Sequence, residues 1–401
     1  MVCRKIVIGA CAAASVLAQP AIAAGVPSLD TPPISVRFST TYYTNATGSS
    51  GSIASLRGLN GDDVVYAPSL NLNLVEPLGG STVFLNGYIG YDIHQRNAIL
   101  DRERISVQGG ANTQLAICDT TLSGSYARSQ SDLADLVVIA TNNTQETITA
   151  ALDATCNTGG RLIPSFGVAQ TWSTNSAVQY LTQEYESTAA NAALAYNAGS
   201  LGTFSLIGSY SRTDYPNRFF LLPTGPQTDG YNMYSGGVRY QNDIMSNLNL
   251  SASVSGNRLE TDNNVGAGFE GITYDATLTL RASSRMNFNV GLSRATRPSM
   301  YLNSSYSVAE SYFGGVDYTI SARIKAAINA SYTHSDFSGG ALVSGFNITD
   351  QTMRSVMGSL SYTISPTFSA ALNAGYTQRD ANVVGYSYSG AQVGLSLSKA
   401  F

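Results

Sequence analysis

Ile324-Lys325-Ala326-Ala327-Ile328-Asn329-Ala330-Ser331-Tyr332-Thr333 is the stretch that decides the fold. Ile324, Ala326, Ile328, Ala330 and Tyr332 alternate with Lys325, Ala327, Asn329, Ser331 and Thr333. Successive side chains of a strand point to opposite faces, so one face here is lipid-like and the other carries hydroxyls and amides. The same pattern sets Leu248, Leu250, Ala252 and Val254 against Asn249, Ser251, Ser253 and Ser255. Strands of soluble sandwiches alternate too, but they run about five or six residues and their polar faces carry more charge.

Working outward, the alternation recurs from Ile34 to the C-terminus. Strands are expected to begin near Ile34, Val64, Thr82, Arg104, Thr120, Thr147, Leu162, Thr188, Thr203, Tyr234, Asn247, Ile272, Met286, Tyr312, Ile324, Ser355, Thr367 and Tyr388. That makes eighteen, or sixteen if the weakest stretches, Ser129 to Thr144 and Thr174 to Ser187, disturb the count. Tight connections, such as Glu76 to Gly80, Asn157 to Gly160 and Ile364 to Pro366, take turns with long ones. The long ones include Thr44 to Asp62, Tyr215 to Met233 and Ser338 to Thr352. Short periplasmic turns alternating with long outer loops define a transmembrane antiparallel up-and-down β-barrel, an all-β fold with both ends in the periplasm.

Composition agrees with this reading. Charged residues are 12 %, against about 25 % for a soluble domain. No apolar run beyond the leader approaches the roughly 20 residues of a membrane helix. Tyr 24 and Gly 38, with a mean hydropathy near zero, suit strands with one face in lipid and one in water. A net charge of -4 excludes nucleic acid as a partner, which demands a basic face.

Residues 1–23 read as a secretory signal: Arg4 and Lys5, an apolar run from Ile6 to Leu17, and Ala21-Ile22-Ala23 as an A-x-A cleavage site. The mature chain is then expected to begin near Ala24, with 24–33 a short periplasmic segment and 34–401 the barrel. Cys3 and Cys11 leave with the leader. Ten residues are too few for the plug that receptor barrels fold inside, which disfavours a TonB-dependent receptor.

The second half repeats every 40 residues or so around its short turns: Tyr240 to Asn247, Leu280 to Arg285, Tyr318 to Arg323 and Tyr362 to Thr367. Tyrosine precedes three of these turns and belongs at the periplasmic interface, while Tyr210, Tyr332, Tyr376 and Trp172 belong to an outer girdle. In the last strand Val393, Leu395, Leu397 and Phe401 share one face. This resembles the signal that bacterial outer-membrane barrels present to the barrel assembly machinery. Lys399 departs from it, standing outward where an apolar residue is usual, and can snorkel to the headgroups.

Cys118 and Cys156 fall at the periplasmic ends of neighbouring strands. A disulfide there suits the oxidising compartment and would close a loop of about 38 residues, worth about 3 to 4 kcal/mol; two free thiols are the alternative. No histidine accompanies the cysteines, so no metal site is expected. Gly266 to Gly271 matches G-x-G-x-x-G but precedes a strand, not a helix, and so lacks the phosphate cradle. Asp92 and His94, facing the lumen, and His334 near Asp336 lie at outer strand ends, where some barrel enzymes carry catalytic groups. General base chemistry needs a positioned partner, and two histidines in a chain of this size are expected by chance, so neither catalysis nor a cofactor is expected. The acidic runs Gly61-Asp62-Asp63 and Asp262-Asn263-Asn264 read as solvated loop, with a divalent ion bridging lipopolysaccharide as the sharper alternative.

Parity places Arg37, Asp92, Arg104, Arg239, Asp275, Asp317 and Lys325 in the lumen among Ser, Asn, Thr and Gly. Neither charge sign dominates, which favours neutral, hydroxyl-rich cargo. A barrel of this size admits an aqueous channel unless loops such as Phe219 to Leu222 fold inward; an occluded structural or surface-interaction barrel is the rival reading.

The hairpin repeat, the Tyr-x-Ile-Ser turns of Tyr318 and Tyr362 and the terminal Phe401 together resemble the β-barrel porins found with exopolysaccharide biosynthesis and export systems in alphaproteobacteria. The resemblance implies a passive channel, integral to the Gram-negative outer membrane among lipid and lipopolysaccharide. It also implies periplasmic polysaccharide-export components as partners, which would supply the docking scaffold that this chain does not display. It carries over no functional residue.

Overall fold

The computed structural model describes residues 32–130, 143–222, 225–262, 268–298, 306–338, 348–383 and 385–401. The leader 1–23 and most of the segment 24–33 lie outside them, as do the first two residues of the G-x-G-x-x-G stretch and part of the loop from Ser338 to Thr352. The first nine strands are β1 (Ile34–Tyr43), β2 (Asp63–Leu78), β3 (Ser81–His94), β4 (Arg102–Leu115), β5 (Cys118–Gln130), β6 (Thr144–Cys156), β7 (Leu162–Asn175), β8 (Tyr185–Asn197) and β9 (Thr203–Leu222). The second nine are β10 (Gly225–Met245), β11 (Leu248–Thr261), β12 (Phe269–Ser283), β13 (Met286–Pro298), β14 (Tyr306–Thr319), β15 (Ile324–Ser338), β16 (Asp350–Ser365), β17 (Phe368–Ala381) and β18 (Tyr388–Ala400).

Each strand pairs antiparallel with its neighbour in sequence, and β1 pairs with β18 from Ser35–Ala400 to Tyr43–Gln392, so the sheet closes. Eighteen strands at about 4.8 Å spacing and a tilt near 40° give a wall about 35 Å across between backbones. Six expected strand starts coincide with observed ones: Ile34, Leu162, Thr203, Met286, Ile324 and Tyr388. The largest departures correct the reading at Tyr234, Tyr312 and Ser355, where strands begin at Gly225, Tyr306 and Asp350. In each case the strand continues outward past the point where its two faces differ in polarity. The segment read as a loop from Tyr215 to Met233 is therefore mostly a paired hairpin, with a register shift at Thr228/Asp229.

The turns follow their sequences. Leu78 pairs with Ser81 across Gly79-Gly80, and Gly79 takes φ 62°, a conformation that suits the right-handed twist of a two-residue hairpin. Leu115 pairs with Cys118 across Ala116-Ile117, and Ala116 is held at φ 54° without glycine's freedom. Cys118 and Cys156 are register partners and are joined by a disulfide at the periplasmic rim, on the same face as Leu122 and Leu152.

The outward face is apolar between two aromatic girdles. Trp172, Tyr210, Tyr332 and Tyr376 point outward near the outer rim, and Tyr318 and Tyr362 near the periplasmic one. Just outside the outer girdle, the same face turns ionic. Arg128 bridges Glu103 at 2.7 Å and Glu146 at 3.4 Å, Arg212 bridges Asp214 and Asp262, and Arg258–Glu260, Arg294–Glu310 and Arg354–Asp380 continue the row. Lipid contact thus ends between the tyrosines and these pairs, the level of the headgroups. At the other end the Lys399 ammonium lies over the Phe401 ring, 5.0 Å from its centroid, which keeps an outward lysine within reach of the interface.

Several outer loops interlock. Between β1 and β2 a short helix, α1 (Gly51–Leu56), is capped by Ser50. Leu59 from this loop, Leu100 from the β3–β4 loop and Tyr180 from the β7–β8 loop form one buried apolar cluster. Arg218 of the β9–β10 hairpin donates to the Thr182 carbonyl at 3.1 Å, and Asn217 donates to Glu184 at 2.7 Å. Asp62 binds Arg96, while Asp63 accepts from the backbones of Arg96 and Asn97. These acids fix loops.

Candidate pore lining

The pairing register assigns faces independently of composition, because directly opposed residues point the same way. Val36, Phe38, Leu206 and Val238 are exposed on the outside, so their neighbours in sequence face inward. By this rule Arg37, Asp92, Arg104, Arg239, Asp275, Asp317 and Lys325 all lie on the inward face. They do not form one site. Arg37 donates to Ser396 Oγ at 3.0 Å; Arg239 and Asp275 flank Ser253 on successive strands; Asp317 and Lys325 sit near the periplasmic rim.

Asp92 and Arg104 do meet. The carboxylate of Asp92 takes Arg104 Nη2 at 2.8 Å and Arg102 Nε at 3.3 Å, and the Arg104 guanidinium lies over the Tyr88 ring at 5.5 Å. Arg102 reaches on to Gln130 at 3.4 Å. This cluster gives the inner wall of β3 and β4 two cations against one anion. Sequence reasoning missed Arg102, although its spacing from Arg104 puts both on one face.

The wall from β5 to β9 is different. Its inward positions are mostly Ser, Thr, Asn, Gln, Ala and Gly with a few apolar residues; the charges among the described residues are Asp119, Asp153 and, at the outer end of β9, Arg218, which lies over the Tyr215 ring and pairs with Asp229 at 3.1 Å. Many hydroxyls pair across strands: Thr149 with Thr171 at 3.1 Å and Ser187 with Thr213 at 3.1 Å. Such rungs satisfy the wall without removing its capacity to bond a passing hydroxyl, because each hydroxyl has one proton and two lone pairs.

Neither histidine is placed for catalysis. His94 is buried, its ring Nδ1 3.5 Å from Asp101, and its backbone N–H donates to the same carboxylate, which ties the end of β3 to the β3–β4 loop. His334 points outward in the ionic row, between Thr352 at 3.0 Å and Asp336 at 3.4 Å. Among the described residues no group of histidine, cysteine and acidic side chains could hold a metal.

At the level of fold the chain is similar to solved outer-membrane proteins. OccK2 (OpdF) of Pseudomonas aeruginosa, solved with glucuronate, aligns at 10 % identity over 93 % of this chain and 99 % of its own, with a TM-score of 0.48. OpdK of the same organism aligns at 11 % identity over 92 % and 98 %, with a TM-score of 0.46. The FrpB iron transporter of Neisseria meningitidis aligns at 10 % identity over 88 % of this chain and 63 % of its own, with a TM-score of 0.50. No curated protein sequence matches. A family model described as "Putative beta-barrel porin 2" matches residues 257–401, from the end of β11 through β18.

Proposed function

We propose that the barrel is an outer-membrane diffusion channel for neutral, hydroxyl-rich cargo, oligosaccharide or exported polysaccharide. The carrying observation is the inward face of β5 to β9, where hydroxyls and amides outnumber three charges of mixed sign, Asp119, Asp153 and Arg218, too few to select one ion sign. A wall of this kind exchanges hydrogen bonds with a sliding saccharide for those of water at little net cost, which suits passage better than tight binding. In export, a periplasmic partner would deliver the chain to the turn side, while the outward ionic row would meet lipopolysaccharide headgroups. Purified protein in planar bilayers, with and without neutral oligosaccharides, tests the reading. Stable conductance steps that the sugars block support it; a folded barrel that conducts nothing overturns it.

One observation favours a second reading, an occluded structural barrel. The apolar cluster of Leu59, Leu100 and Tyr180 ties three outer loops together over one side of the mouth. Leu100→Asp should then open the channel, raising conductance several-fold, whereas in a wall already open it changes little.

A further inference from the structure

The large, exposed apolar side chains on the membrane-spanning strands share the outward parity, with one exception among the described residues: Phe313, 39 % exposed, faces inward. It sits midway along β14, opposite Gly291 on β13 and Ser331 on β15. A Cβ added at Gly291 would collide with Cε1 and Cζ of the Phe313 ring. The Cε1–Cζ edge of the ring therefore fills the space over a position without a side chain, and the rest of the ring is left exposed on the inward face.

Two residues nearer the periplasm, Gly315 leaves a second gap between Asn289 and Asn329, its register partners. The Oδ1 atoms of both asparagines lie over Gly315, and no hydrogen bond to another described residue engages either amide. Ser293 and Ser311 flank the ring on the outer side, and Ser331 lies beside it. The charged residues of this face stand away from the ring, Asp317 and Lys325 toward the periplasmic rim and Arg297 toward the outer one.

An exposed aromatic ring bordered by neutral amides and hydroxyls suits a pyranose, whose weakly positive ring C–H groups pack against the negative π-face, while its hydroxyls need donors and acceptors together. An anion would find no cation here, and an apolar solute would leave the two amides unpaired. We infer that the inner face of β13 to β15 is a saccharide subsite, with Phe313 as stacking platform and Asn289, Asn329 and Ser331 bonding the sugar hydroxyls. The inference rests on the proposed carbohydrate cargo and gives it an address.

The probes are maltohexaose and cellohexaose, read two ways: blockade of single-channel current, and calorimetric titration of the barrel in detergent, which does not depend on conduction. Phe313→Ala should weaken binding of a hexaose about tenfold, and Phe313→Tyr should retain it. Gly291→Ala, which lifts the ring from the wall, should weaken binding although the ring is still present. Blockade by polyethylene glycol of similar mass should stay the same in every variant, and heat-modifiable gel mobility confirms that each one folds. A conducting wild type whose hexaose binding is indifferent to Phe313→Ala, or that binds neither hexaose, overturns the subsite and leaves the channel standing. A silent wild type that still binds a hexaose through Phe313 overturns the channel and leaves the subsite standing.

Discussion

Asp92 Oδ1 lies 2.8 Å from Nη2 of Arg104, across the β3–β4 pair and on the inward face, with Arg102 completing the cluster. Replacing Asp92 by Asn removes the one anion that balances two guanidinium groups. The expected outcome is roughly a twofold rise in the anion-to-cation permeability ratio, since fixed charge at a pore wall acts on permeant ions through Coulomb fields that salt only partly screens. The reversal potential in a potassium chloride gradient measures it, and an unchanged value would show that ions pass elsewhere.

The disulfide between Cys118 and Cys156 clips together strands that are already register partners. Its sequence separation of 38 residues corresponds to about 3 to 4 kcal/mol of stability in the chain-entropy model. Exchange of both cysteines for serine should lower the urea midpoint of unfolding without altering conductance, because the bridge faces outward at the rim.

Ala116 occupies the left-handed region at φ 54°. An L-residue with a Cβ loses about 1 to 2 kcal/mol there, part of which glycine would return in unfolded-state entropy. Ala116→Gly should therefore stabilise the barrel by about 0.5 to 1 kcal/mol in the same unfolding assay. A destabilised variant would contradict this account of the turn.

Leu206, 65 % exposed, and Ser209 lie three residues apart on β9 and on opposite faces. Arginine at 206 would sit in lipid near the midplane and should cost about 2 to 4 kcal/mol. Arginine at 209 should leave stability unchanged and bring anion preference to the pore. Folding yield into vesicles and reversal potential separate the two effects, and equal destabilisation by both would invalidate the face assignment.

The alternation that exposes the fold is created by the membrane itself, so it is legible only where the membrane is. Ile34, Leu162, Met286 and Ile324 mark strand starts correctly because the periplasmic turns there stop the alternation abruptly. Gly225 is invisible as a start because the extension of β10 toward it lies beyond the lipid, where no difference between faces is enforced. Parity assigns the seven charged candidates to one face, and the register gives all seven that same face. Their relationships were not legible, because Asp92 meets Arg104 across two strands while Arg239 and Asp275 stay apart, which depends on register. Phe313 went unremarked because Tyr312 beside it satisfies the apolar face. The signal was present all the same: a second large ring immediately following, at a position whose parity calls for a polar residue.

The seam between β1 and β18 has the barrel's shortest strand on one side, ten residues in β1 against thirteen or more elsewhere. A closed wall spreads any load around its whole circumference, so its resistance to opening is set by the weakest rib. In mechanical terms this cylinder has a built-in line of fracture, and pulling or denaturant should part it lengthwise there before any other staves come loose.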